Sequence, residues 1–217
     1  IGHLFYLIGG QRFEGRYNPH GPDHGPGFTQ SYTNEIRRFN INTTGDHVRI
    51  GNYSVIRDSQ LLHRRDYNLL PQKDSNGRDM LTIYSGVFQY GKNIPFTTLV
   101  DISASGHKEV TGFNQQFAHY HAATLPVYSN SSKAMYSVFF GGIAQKYTDS
   151  AGNIITDNDV PFVKSISVVE RKGNTTKEYI LPDPMPGYFG AAAEFIPADE
   201  KLFTATGILD LDRAEKK

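Results

Sequence analysis

Two short polar runs carry the residue types that chemistry needs: Arg64-Arg65-Asp66-Tyr67 and His119-Tyr120-His121. Each lies just before an apolar stretch that reaches a proline, "RRDYNLLP" at Pro71 and "YHAATLP" at Pro126. Setting the two prolines in register opposes Arg64 to His119, Arg65 to Tyr120 and Asp66 to His121. Guanidinium groups beside a phenol and two imidazoles suit a carboxylate, a phosphate or a sugar, with arginine offering paired hydrogen bonds to an oxyanion. The same groups have a structural use as well. Arg–Asp pairs tie neighbouring sheets together, and a buried charge needs a partner in either role.

A second grouping lies in the stretch from Gln11 to Glu35, where Tyr17, His20, Asp23 and His24 form a candidate binding loop. Imidazole and carboxylate suit a transition metal. The glycines and prolines between Gly15 and Gly27 rule out a helix, so His20 and His24 share no helical face, and a folded insertion with solvated polar groups is the competing reading. No metal site is assigned. Two acidic turns, Asp74-Asn76-Asp79 around Gly77 and Asp157 with Asp159, resemble calcium loops but lack the bidentate glutamate of an EF-hand. Hairpin turns need such residues anyway. The expectation is therefore no cofactor, with a structural calcium ion as the alternative.

Composition narrows the function classes. Basic and acidic residues balance at 22 each, and no stripe of lysine and arginine is present, which argues against nucleic acid as a partner. Cysteine is absent, which removes disulfides, thiolate metal sites and cysteine nucleophiles together. No apolar run is long enough to span a bilayer as a helix. The opening "IGHLFYLIGG" has neither a basic flank nor an initiating methionine, so the chain reads as processed or as part of a longer one. Sequons begin at Asn42, Asn52, Asn130 and Asn174, all in expected loops, and Asp149-Ser150-Ala151 resembles a short O-glycosylation signal.

Frequent glycine and turn residues, with little helical periodicity outside "DLDRAEKK", make the chain all-β. Four apolar strands close on glycine: "LFYLIGG" at Gly10, "LTIYSG" at Gly86, "YSVFFGG" at Gly142 and "LFTATG" at Gly207. The last three follow proline strands ending at Pro71, Pro126 and Pro197. After the second and third come two near-twin phrases, "NIPFTTLVDIS" and "DVPFVKSISVV", with proline expected at the first residue of a strand, where no ladder donor is needed. Closing strands "KEVTGFN" and "KEYILP" complete four strands per unit.

A four-stranded antiparallel unit repeated around a ring is a β-propeller blade. The glycine pairs resemble those of kelch and galactose-oxidase-like propellers, although the diagnostic tryptophan is missing. The fold expected is thus a β-propeller of four-stranded antiparallel blades covering an incomplete ring. Residues 1–60 form a blade lacking its first strand, 61–116 and 117–182 are full blades, and 183–217 is a partial one. An incomplete ring leaves open edges, so the remaining blades come from the same longer chain or from another. The passage "FFGGIAQKYTDSAGNIITDNDVPFVKSISVVER" with "EYILPDPMPGYFGAAAEFIP" is similar to secreted bacterial propeller proteins exported by the type IX secretion system.

That resemblance implies a secreted or bacterial cell-surface protein. A copper-radical site like that of galactose oxidase requires a Tyr–Cys cross-link, which a chain without cysteine cannot form. The expected function is non-enzymatic binding of a protein or glycan through the loop face. The rival is a polysaccharide hydrolase or lyase at the channel mouth using Arg64, Arg65, Tyr67, His119 and His121.

Overall fold

The computed structural model describes residues 1, 3–16 and 28–216. These divide into two compact units, Gly2–Arg65 and Asp66–Lys217, the second of which also takes in Ile1.

In the first unit β1 (Phe5–Ile8) pairs antiparallel with β4 (Glu35–Thr44), which pairs with β5 (His47–Arg57). Between β1 and β4 a separate hairpin forms from β2 (Gln11–Gly15) and β3 (Phe28–Tyr32), with the Phe13 and Phe28 rings stacked at 4.9 Å. Ile8 and Ile36 are buried, and the Glu35 carboxylate accepts from both Arg37 and Arg57 at 2.8 Å. Two of the sequons, at Asn42 and Asn52, fall inside β4 and β5 and not in loops. Both are β-hairpin arms whose outer halves are exposed, so polar residues there cost nothing in burial.

Two main sheets dominate the second unit, and in each of them four antiparallel strands lie in chain order. The first runs β6 (Asn68–Lys73), β7 (Asp79–Tyr84), β8 (Val100–Ser103) and β9 (Gly106–Glu109). In the second, β10 (Ala123–Ser129), β11 (Ala134–Phe140), β14 (Ile166–Lys172) and β15 (Thr175–Ile180) lie side by side, while β12 (Lys146–Thr148) and β13 (Ile154–Thr156) form a small hairpin between β11 and β14. Every second side chain of β11 and β14 is buried along most of their length, the period expected of strands with one face on a core. That core is Leu70, Tyr84, Leu99, Phe139 and Val169, with the Tyr84 and Phe139 rings 5.0 Å apart.

The glycine pairs have a common geometry. Gly9-Gly10, Ser85-Gly86 and Gly141-Gly142 each place two successive residues at positive φ. In each case the second carbonyl accepts a hydrogen bond from the returning chain: Gly10 from Thr33 N–H at 3.0 Å, Gly86 from Phe96 N–H at 2.8 Å and Gly142 from Val163 N–H at 3.0 Å. Left-handed backbone is what glycine supplies without strain. Ser85 holds it as an L residue, with its hydroxyl donating to Ala118 C=O at 2.6 Å.

Three strand readings need correction. Pro95 and Pro161 do not open strands; each lies in irregular chain several residues ahead of β8 or β14, with which its twin phrase ends. β6 and β10 run on through Pro71 and Pro126, because a missing N–H is tolerated where it points away from the ladder. Residues 183–217 form no glycine and proline strands. "GAAAEFIP" contributes one isolated bridge, Ala191 to Ala122, and "LFTATG" is a turn in which Gly207 N–H donates to Thr204 C=O at 3.0 Å. Small alanines with an exposed Ile196 give that segment no apolar face to bury. After a 3₁₀ turn at Glu200–Leu202, β16 (Leu209–Asp210) instead joins β10 in parallel, and α1 (Leu211–Ala214) follows. The inner edge of β10 is therefore covered at Val127 and Tyr128 and does not line an open channel there.

The sheets are joined by a buried polar network. Arg171 on β14 donates from Nη1 and Nη2 to the two carboxylate oxygens of Asp101 on β8, at 2.8 and 2.7 Å, and from Nη1 to the Thr82 hydroxyl at 3.2 Å. Gln72, Tyr84 and Ser137 form a second knot, with Tyr84 donating to Gln72 at 3.1 Å, Gln72 to Ser137 at 3.0 Å and Ser137 to Tyr84 at 2.9 Å. Removing one partner of such a pair strands the other charge. We expect Arg171→Met to lower unfolding stability by about 3 to 5 kcal/mol, with Arg171→Met/Asp101→Leu recovering much of the loss. Urea denaturation checks this, and a double variant no better than the single one contradicts it.

Candidate functional site

Backbone geometry brings the starts of β6 and β10 together. Asp66 and His121 both hold left-handed backbone, at φ 56 and 52. His121 N–H donates to Asp66 C=O at 2.9 Å, and its own carbonyl accepts from Ala192 N–H at 3.0 Å. Asn68 acts as a side-chain clamp, donating from Nδ2 to His119 C=O at 2.8 Å while its Oδ1 accepts from Ala122 N–H at 3.1 Å. Close crossings fix the rest. A Cβ on Gly142 would lie 2.7 Å from the Tyr120 carbonyl oxygen, and one on Gly190 would lie 1.8 Å from that of Phe140. Positive φ at Gly142 and direct backbone approach at Gly190 each demand glycine.

Within this frame sits an open cleft of about 570 Å³. Asp66, Tyr67 and His121 line it, together with Asn68, Thr124, Glu194 and Phe195. The His121 Nδ1 stands 3.8 Å from Asp66 Oδ1, an ion pair whenever the imidazole is protonated. Burial pushes the Tyr67 phenol up to about 12, so at neutral pH it keeps its proton and is a donor.

His119 and Tyr120 do not line the cleft. His119 is fully buried, with Nε2 3.3 Å from the Ser165 hydroxyl, and burial lowers its pKa to about 4 against the opposing pull of the Phe139 backbone carbonyl, which favours the protonated ring. Tyr120 is buried too, its phenol raised to about 12 first by burial and then by the Asp66 carboxylate. Its backbone pairs with Ile143 in both directions, at 3.0 and 3.1 Å. Arg64 and Arg65 end the other unit, where the buried Arg64 donates from Nε to Leu61 C=O at 2.8 Å. Tyr17, His20, Asp23 and His24 lie outside the described residues.

No known family, curated protein or solved structure matches this chain. Among the described residues no group of three or more histidine and carboxylate side chains is placed to hold a metal, and no helix is long and apolar enough to cross a membrane. Asp74 and Asp157 spend their Oδ1 atoms inside their own turns. Asp74 accepts from the N–H groups of Asn76 and Arg78 at 2.9 Å, and Asp157 from that of Asp159 at 2.9 Å. Sequence reasoning missed Glu194 and Phe195, because their segment reads as a strand, and it passed over the clamp role of Asn68, whose only signal was a polar residue opening an apolar run.

One more titrating group supports the segment that carries His119. Glu178 on β15 accepts at Oε2 from the N–H groups of Gln116 and Phe117, and burial raises its carboxyl to about 7 while those bonds pull the other way. His119 and Glu178 oppose one another. The unfolded chain protonates His119 near 6.5 and the native protein only near 4, so stability is lost as pH falls through that window. Glu178 ionises near 4.5 when unfolded but near 7 when native, so stability is lost as pH rises through its window. Relative to wild type, Glu178→Gln is expected to lose stability as pH is lowered, and His119→Gln as pH is raised towards 7. Thermal unfolding across pH 4 to 7 tests both signs, and identical pH profiles for the three proteins would refute them.

Proposed function

We propose that the chain is a β-propeller-like module of a secreted or cell-surface protein, and that it binds a glycan, without turning it over, in the cleft between Asp66, His121 and Glu194. The observation that carries this reading is the lining itself. Two carboxylates, an imidazole, a threonine hydroxyl and a phenol line the same cleft as the exposed ring of Phe195, a mixture that matches the alternating hydroxyls and apolar faces of a sugar. The propeller likeness draws support from the glycine-carbonyl hydrogen bond made at Gly10, Gly86 and Gly142 and from the chain-order sheets. A binding role draws support from the site's openness to water. The histidine that burial keeps neutral, His119, is closed off from the cleft, whereas a general acid or base works in contact with substrate.

An oligosaccharide panel read by calorimetry tests the proposal. Wild type is expected to bind at least one neutral oligosaccharide and release no shorter product. His121→Ala and Glu194→Gln are each expected to weaken binding by about tenfold or more, with far-UV circular dichroism unchanged. Undiminished affinity in both variants removes the cleft as the site. Product release by wild type that vanishes in His121→Ala assigns the hydrolase or lyase role in its place, and a panel with no binder at all points the loop face towards a protein.

A further inference from the structure

The far end of β6 opens onto a second cleft, of about 490 Å³, where the hairpin turns of both sheets in the larger unit converge. The buried Met80 and Met135 are among its lining residues. Its walls are cationic. Lys73, Arg78, Lys108, Lys133 and Arg171 all reach it, against two carboxylates, Asp74 and Asp101.

Those carboxylates are already spent. Asp101 is engaged by both Nη atoms of Arg171, and Asp74 accepts from its own turn and from the Arg78 guanidinium at 2.8 Å. Lys73 is answered by Asp79 at 2.5 Å. Lys108 and Lys133 are left. Among the described residues neither has a carboxylate partner, and Lys133 only donates to Asn130 Oδ1 at 2.7 Å. Both stand exposed on separate hairpins, facing one basin whose negative charges are neutralised within their own pairs.

We propose that this cleft is an anion site for a tetrahedral oxyanion, a sulfate or phosphate group carried on a larger ligand, with Lys108 and Lys133 as its charge-bearing contacts. Two ammonium groups on separate hairpins that line one cleft suit a compact tetrahedral oxyanion better than a planar carboxylate, because each approaches as a point charge without a fixed plane. The Thr176 hydroxyl and Asn174 amide at the rim add neutral polar groups for the remaining oxygens. Arg171 lines the cleft without joining the contact, since its paired donors already face Asp101. This site is independent of the Asp66–His121 cleft, which lies at the opposite end of β6.

Calorimetry at low ionic strength with inorganic phosphate, a sulfated oligosaccharide and its desulfated counterpart tests the proposal. With a sugar whose desulfated form the Asp66–His121 cleft does not take, the sulfated ligand or phosphate is expected to bind, the desulfated one not, and affinity is expected to fall as salt is raised. Phosphate binding without sulfated-sugar binding identifies a phosphate group as the ligand, and the reverse a sulfate ester. Lys108→Ala/Lys133→Ala, two exposed changes, is expected to weaken the interaction by about tenfold or more. Equal binding of the desulfated sugar, unaltered affinity in the double variant, or no anion bound overturns it.

Discussion

The larger unit depends on the polar seam between its sheets, where Arg171 reaches from β14 to the Asp101 carboxylate on β8. Sheets packed by apolar contacts alone slide, since hydrophobic attraction has no direction. A bidentate guanidinium–carboxylate pair has both direction and a short range. The Gln72–Tyr84–Ser137 knot repeats the constraint between β6, β7 and β11, so the relative register of the sheets is fixed at two points along the same interface. Because β6 is held there, both of its ends inherit a defined position, and each end opens onto a cleft.

The two clefts are built by different physics. At the starts of β6 and β10, backbone groups are the architects: left-handed residues, the Asn68 clamp and glycines with no room for a Cβ. Such a frame is stiff, and the side chains projecting from it have few ways to move. At the turn end, long lysines hang from separate hairpins that line one cleft. There the frame fixes only where the stems begin, and charge does the gathering.

Much of the strand order was legible in the sequence because glycine and proline have local meanings. A glycine pair after an apolar strand marks a left-handed exit, and the three pairs at Gly10, Gly86 and Gly142 keep that meaning. Gly207 does not, since a lone glycine also ends tight turns, and "LTIYSG" and "LFTATG" read alike although Ser85 takes left-handed backbone beside Gly86 and Thr206 does not beside Gly207. Aligning the prolines sets Asp66 against His121, and the structure brings these two together by a backbone hydrogen bond because both strands begin alike. Tyr120 and His119, one and two residues from His121, turn inward, and sequence has no signal for which neighbour of a left-handed residue faces water. Glu194 was illegible for another reason: its segment crosses β10 by isolated contacts that follow no period.

One feature bears on how the protein reaches its native state. β16 pairs Leu209 with Val127 and Asp210 with Tyr128, and just beyond it Asp212 accepts from the hydroxyls of Ser129 and Ser131 at 2.8 Å. The β10–β11 hairpin is local and can close early, whereas its flank waits for a segment some eighty residues downstream, and loops of that length close slowly. During synthesis the edge of β10 therefore emerges from the ribosome unpaired and stays so until the chain has passed Asp212. Over that interval the nascent protein presents an open strand edge, the form most prone to capture by a neighbouring chain or a chaperone.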